Sequence, residues 1–116
     1  MDKKYFGDIG ERYALNLLEK HGYKILTTNF RTKLGEIDIV AKLDDILIFV
    51  EVKTRTSLKF GLPQEAVNKR KLHIIKNVGE LFMRSHPRIA KKTRIDVVAI
   101  EATGGHVLSA KIIPVI

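Results

Sequence analysis

Asp38, Glu51 and Lys53 are the residues whose types and spacing could do chemistry, because they fall on two neighbouring apolar stretches, GEIDIVA at 35–41 and ILIFVEVKT at 46–54. The alternation predicts the two arms of one β-hairpin. On the first arm Ile37, Ile39 and Ala41 alternate with Glu36, Asp38 and Val40; on the second, Ile46, Ile48, Val50 and Val52 alternate with Leu47, Phe49, Glu51 and Lys53. With Asp44 and Asp45 as a two-residue turn, Leu43 faces Ile46. Counting back sets Asp38 opposite Glu51, Glu36 opposite Lys53, and Ile37, Ile39 and Ala41 opposite Val52, Val50 and Ile48. A turn two residues longer makes the two acids diagonal neighbours on the same face. Opposed carboxylates weaken a sheet, so acids placed there beside an ammonium call for a cation, and a hard, oxygen-seeking ion such as Mg²⁺ suits them. The E-x-K triplet also reads as an ordinary solvated strand end. Against that reading, Leu47 and Phe49 share the face of Glu51 and Lys53, which marks 46–54 as a central strand buried on both sides, where unpaired charge is costly.

The elements that must position these residues follow an α/β order. Residues 5–20 carry helical spacing through Ile9, Tyr13 and Leu17 with Ala14 and Leu18, and Gly22 suits the stop. Glu11 falls at the edge of that apolar stripe, turned toward a sheet; favouring the helix dipole is its alternative role. Tyr23 to Phe30 reads as an edge-type strand. Gly61-Leu62-Pro63 marks a break and a helix start, and 64–84 is predicted helical through Val67, Ile74, Ile75, Val78 and Phe82. Lys71 falls on that stripe and either snorkels outward or reaches a phosphate near the site. RIDVVAIE at 94–101 reads as a strand, Gly104-Gly105 as a turn, and 107–115 as a last strand with Pro114 suited to an edge. The sum is an α/β fold, a central mixed β-sheet flanked by α-helices.

Composition narrows the functions. The 116 residues, 45% hydrophobic, suit a single domain over 1–116 with one core, and no linker composition or repeat interrupts it. The absence of cysteine removes disulfides, thiolate zinc sites and cysteine nucleophiles. The four histidines have no metal-ligand spacing, and neither a G-x-S-x-G nucleophile motif nor a phosphate-binding glycine loop is present. The longest wholly apolar run, Ile46 to Val50, is far too short to span a membrane, and the start MDKKYFGD has no signal core. A soluble cytoplasmic protein without a membrane partner is expected, with a homodimer left open.

The formal charge of +8 is unevenly placed: residues 53–94 hold twelve lysines and arginines against Glu65 and Glu80, a local balance of +10. A basic surface beside a carboxylate cluster suits a polyanion cut with metal help. Solubility charge is the plainer alternative. Arg55, Lys71, Lys91, Lys92 and Arg94 are the candidate phosphate contacts.

The segments GDIGERYALNLLEKHGYKILTTNFR, GEIDIVA, FVEVKTR, FGLPQEAV followed by Lys71, and RIDVVAI resemble, in order, the motifs of the YraN-like family of bacterial proteins, over nearly the whole chain. They are similar to the active-site layout of the PD-(D/E)xK nuclease superfamily, especially the archaeal-type Holliday junction resolvases. The resemblance implies a restriction-endonuclease-like fold, Asp38 and Glu51 as metal ligands, Lys53 as the water-orienting residue and Glu11 as a first-helix acid. Ile37 stands where the superfamily's name puts proline. Gln64 matches a later active-site glutamine only loosely, Glu36 is a further candidate acid, and the ending IIPVI departs from the usual family C-terminus.

Two functions are therefore expected in competition. One is a metal-dependent nuclease on DNA, branched or otherwise structured, in repair or recombination, with Asp38, Glu51, the Val52 carbonyl and Glu11 around Mg²⁺ or Mn²⁺ and Lys53 acting on the water. The other is a non-catalytic nucleic-acid-binding module that keeps the same fold.

Overall fold

The computed structural model describes residues 3–56 and 67–116. Within them the order is α1 (Lys3–Lys20), β1 (Lys24–Thr32), β2 (Gly35–Leu43), β3 (Ile46–Arg55), α2 (Lys69–Ser85), β4 (Lys92–Thr103) and β5 (His106–Pro114). The five strands lie in one sheet in sequence order. Every neighbouring pair is antiparallel except β3 and β4, which run parallel across the connection that contains α2. This is the expected mixed α/β sheet, with 46–54 within its central strand and the strand containing Pro114 at its edge.

Each element has a local cause. α1 stops in a Schellman cap, where the Tyr23 N–H donates to Leu18 O and the Gly22 N–H to Glu19 O, both at 3.0 Å, with Gly22 at φ 87°. The β2–β3 turn is the two-residue Asp44-Asp45 connection with Asp44 at φ 52°, a left-handed value that aspartate tolerates. α2 begins at Lys69, not at 64. Asn68 is extended and its side chain accepts the Lys71 N–H at 2.9 Å, an N-cap that sets the boundary. Positions 64–66 of the predicted helix, with the Gly61-Leu62-Pro63 break, lie outside the described residues.

Two cores lie on the two faces of the sheet. α2 sets Ile75, Val78 and Phe82 against Val40, Leu47, Phe49, Ile95 and Val97. α1 sets Ala14 and Leu18 against Ile39, Ala41, Ile48, Val50, Val98 and Ile100. The buried stripe of α1 is thus Gly10, Ala14 and Leu18, whereas Tyr13, expected in it, is 41% exposed. The reason is close approach: a Cβ on Gly10 would overlap the Thr54 side chain, so the helix seats its smallest residue against β3 and rotates Tyr13 outward.

Asp96 is the one charged residue described as fully buried. Its carboxylate accepts from Tyr23 Oη at 2.7 Å and from Arg94 Nε and Nη2 at 2.7 and 3.0 Å, and Arg94 Nη2 also donates to Tyr23 Oη at 3.1 Å. Burial, then Asp96, pushes the Tyr23 phenol up to about 12, and Asp96 raises the Arg94 pKa further. Arg94 is therefore a structural partner and not the phosphate contact expected from its basic neighbourhood. Removing one member of a buried ion pair strands the other, at roughly 3–5 kcal/mol. Arg94→Ala should accordingly lower the urea midpoint sharply, with Tyr23→Phe costing only about 1–3 kcal/mol; an Arg94→Ala protein as stable as wild type would show that Asp96 does not need its guanidinium.

Candidate active site

The hairpin register holds as counted from Leu43–Ile46 to Ile39–Val50, and there the β2–β3 ladder ends. Continued pairing would place the Val52 N–H on the Ile37 carbonyl. Instead it donates to Asp38 Oδ2 at 2.8 Å. A side-chain carboxylate has replaced a backbone acceptor, so Asp38 and Glu51 are not the directly opposed pair that simple counting gives. The exchange also turns Ile37, expected on the face of Ile39, into the opposite core beneath α2.

Glu51 lies on the α2 side of β3, with its side chain 12% exposed and Oε1 3.6 Å from Lys71 Nζ. Burial, and after it the charge of Asp38, pushes its carboxyl from the ordinary 4.5 up to about 7, although Lys71 and Lys53 pull the other way. Asp38 is raised as well. Burial is the main cause, partly offset by the Val52 amide, with Glu36 adding repulsion and Lys71 and Lys53 attraction. Lys53 is exposed and acts on both acids through its charge. Lys71 neither snorkels away nor stands free for a phosphate; it is the counter-ion of Glu51.

Glu11 turns toward this cluster. It accepts from Asn29 Nδ2 at 3.0 Å, and its pKa is raised by partial burial first, lowered by Asn29, and raised by the negative charges of Asp38, Asp8 and Glu36. Since α1 begins at Lys3, Glu11 sits beyond the first turn, where the helix dipole has little hold. Glu36 pairs with Arg31 at 3.3 Å on the surface, and its charge raises the pKa values of Asp38 and Glu11. Arg55 ends β3, half-buried, two positions beyond Lys53. Gln64 lies outside the described residues.

Lys91 and Lys92 are exposed but stand at the other end of the sheet. Lys92 pairs in register with Ile46, whereas Glu51 pairs with Val97; five strand positions place them about 16 Å apart. Among the described residues the cations that act on the acids are instead Lys53 and Lys71, and the exposed Lys69 and Arg70 share the first turn of α2 with Lys71.

Among the described residues no three acidic or histidine side chains converge to ligating distance. The donor chemistry nevertheless fits a hard divalent cation: Asp38 and Glu51 offer oxygen only, both pKa values are raised by burial, and negative charge adds to it, that of Asp38 at Glu51 and that of Glu36 at Asp38. Counting spacing missed Asn29 and Asp96. Both carried signals: an asparagine within a strand sequence is disfavoured there and tolerates a left-handed backbone, and an acid inside the apolar RIDVVAI must find a buried partner.

A glutamate whose pKa is higher folded than unfolded binds its proton better in the folded state, so folding stability falls as pH rises from about 4.5 to about 7 and stays reduced above. In EDTA the melting temperature should therefore drop over that window. Glu51→Gln should melt higher than wild type at pH 8 and show a flatter profile, because the upward shift already includes the attraction of Lys71. A lower melting temperature for Glu51→Gln at pH 8 would mean that the Lys71 ion pair outweighs burial and Asp38.

Residues 10–100 match the model of a family described as uncharacterised protein family UPF0102. A UPF0102 protein of Caldicellulosiruptor bescii is 56% identical over 106 residues, covering 90% of this chain and 88% of that one. Relatives in Dictyoglomus thermophilum and Clostridioides difficile are 43% and 41% identical, covering 86% and 95% of this chain and 85% and 99% of theirs. Among solved structures, a chain of an EndoMS-dsDNA2 complex matches 84% of this chain at 17% identity with a TM-score of 0.48, and this chain covers 38% of that one.

Proposed function

The chain belongs to the UPF0102 family, and from that premise we propose that its carboxylate cluster is the hydrolytic site of a metal-dependent nuclease acting on DNA. The observation that carries the reading is Glu51, a largely buried carboxylate in the middle of the central strand β3, its pKa pushed up to about 7 by burial and by Asp38, with Lys71 3.6 Å away. A position that makes its own charge costly is one a dication would stabilise.

Asp38, Glu51 and the Val52 carbonyl would hold Mg²⁺ or Mn²⁺, with Glu11 a further acid on the α1 side. Bound there, the ion would acidify a water and neutralise charge growing on a phosphate. The residues of the chain do the rest. The Val52 amide fixes one oxygen of Asp38, so that carboxylate is oriented before any ligand arrives. Lys53, exposed beside both acids, is placed to orient the attacking water and to stabilise charge on the phosphate oxygens. Lys71, once the charge of Glu51 is taken up by a cation, can turn its ammonium to a neighbouring phosphate, with Lys69, Arg70 and Arg55 extending the cationic surface. Lys91 and Lys92 serve a remote stretch of the same polyanion.

Two observations favour the second reading, a nucleic-acid-binding module without catalysis. Lys71 already serves as a counter-ion to Glu51, and no third ligand converges among the described residues. The decisive assay incubates purified protein with linear, single-stranded, flapped and four-way DNA in Mg²⁺, Mn²⁺ or EDTA. Cleavage is expected only with metal, and Asp38→Asn, Glu51→Gln and Lys53→Ala should each lose roughly a hundredfold or more in rate with DNA binding largely kept. Binding that ignores metal apart from screening, without cleavage, selects the module; cleavage at wild-type rates by Asp38→Asn or Glu51→Gln removes the site.

A further inference from the structure

Asp38 is the position at which β2 loses its ladder partner on both sides. Toward β3 the pairing stops at Ile39–Val50, and toward β1 it passes from Thr28–Ile39 to Phe30–Ile37. The residue skipped on β1 is Asn29, whose backbone is left-handed at φ 52°. A strand residue at positive φ cannot present its N–H and C=O to the neighbouring strand in register, so the missing Asn29–Asp38 pair follows from that conformation. Asparagine is among the few residues other than glycine that adopt it readily.

The Asn29 side chain has a second effect. Nδ2 donates to Glu11 Oε1 at 3.0 Å, joining β1 to α1 at the level of Asp38. The bond is exposed, so water could satisfy both groups without it. Its consequence is orientation: a flexible glutamate is held beside the Asp38 carboxylate, whose negative charge it feels.

We propose that Asn29 is a positioning residue for the acid cluster, its left-handed backbone freeing Asp38 to turn onto the Val52 amide and its side-chain amide holding Glu11 toward Asp38. The consequence for metal rests on the nuclease reading; the consequence for the Val52 amide does not. Asn29→Gly keeps the backbone conformation and removes the amide, whereas Asn29→Ala removes the amide and disfavours the conformation. The two variants therefore separate the two roles.

The measurements are Mn²⁺ titration calorimetry and, in EDTA, exchange of the Val52 amide relative to that of Ile48 on the same strand. Asn29→Gly should leave the exchange ratio as in wild type and weaken Mn²⁺ about tenfold, the lower end of what outer partners of metal ligands contribute. Asn29→Ala should raise the ratio roughly tenfold as well, because Asp38 is drawn back into pairing with β1. Wild-type Mn²⁺ affinity in Asn29→Gly overturns the role of the side chain. An unchanged ratio in Asn29→Ala overturns the role of the backbone, as does failure of Asn29→Ala to fold, which would make residue 29 a requirement of the fold and not of the site. If wild type itself takes no Mn²⁺, the nuclease reading and the Glu11 half fall together, and the exchange ratio still decides the backbone half.

Discussion

The hydrogen bond from the Val52 amide to the Asp38 carboxylate is the interaction on which the rest of the site depends. An antiparallel hairpin that continued to pair would give both backbones their usual partners and leave two carboxylates repelling across the ladder. Substituting a side-chain acceptor for a backbone one ends the ladder at Ile39–Val50, separates the strands and seats one acid in the sheet. The same step reverses the direction of Ile37, which closes the α2-side core next to Phe30 and Phe82. Core packing and the placement of the acid are one event.

Charge sets the second constraint. Two half-buried acids with raised pKa values are costly in the folded protein, and the ammonium of Lys71 reduces the cost without removing it. The first turn of α2 carries Lys69, Arg70 and Lys71 and no acid, although the helix dipole is positive there. Cations at that terminus gain nothing from the helix itself. Glu51 accounts for Lys71; a polyanion at the same surface would account for its neighbours, in keeping with the proposed reading.

The two faces of the β3–β4 pair have different work. On the α1 face, at the level of Val50, the Tyr23–Asp96–Arg94 network satisfies a fully buried carboxylate and ties the start of β1 to β4. On the α2 face, one position along, the pKa of Glu51 is raised by burial despite Lys71 and Lys53. Of two acids in apolar strand sequences, Asp96 and Glu51, one has three bonded donor atoms among the described residues and the other a single ammonium at 3.6 Å. Incomplete compensation is what the proposed site would require, and complete compensation what a brace requires.

Sequence alone determined the parts governed by local periodicity and turn chemistry. The alternation in 35–41 and 46–54, with Asp44-Asp45 between, was sufficient for the hairpin and its register over five pairs. Apolar residues on both faces of 46–54 sufficed for a central strand, Gly22 and Gly104-Gly105 for a helix stop and a turn, and the acids with Lys53 for one end of one hairpin. Tertiary structure alone decided which face Ile37 takes, that Arg94 serves Asp96, that Lys71 meets Glu51, and that Lys91 and Lys92 lie far from the acids. It also turned Tyr13 out of α1's stripe, because only β3 reveals that Gly10 must face Thr54. The physical reason is common to all of these. Spacing encodes the direction of a side chain relative to its own backbone, but an ion pair, a close approach or a carboxylate standing in for a carbonyl depends on atoms that another element brings up, 71 and 73 residues away for the bonds of Tyr23 to Arg94 and Asp96.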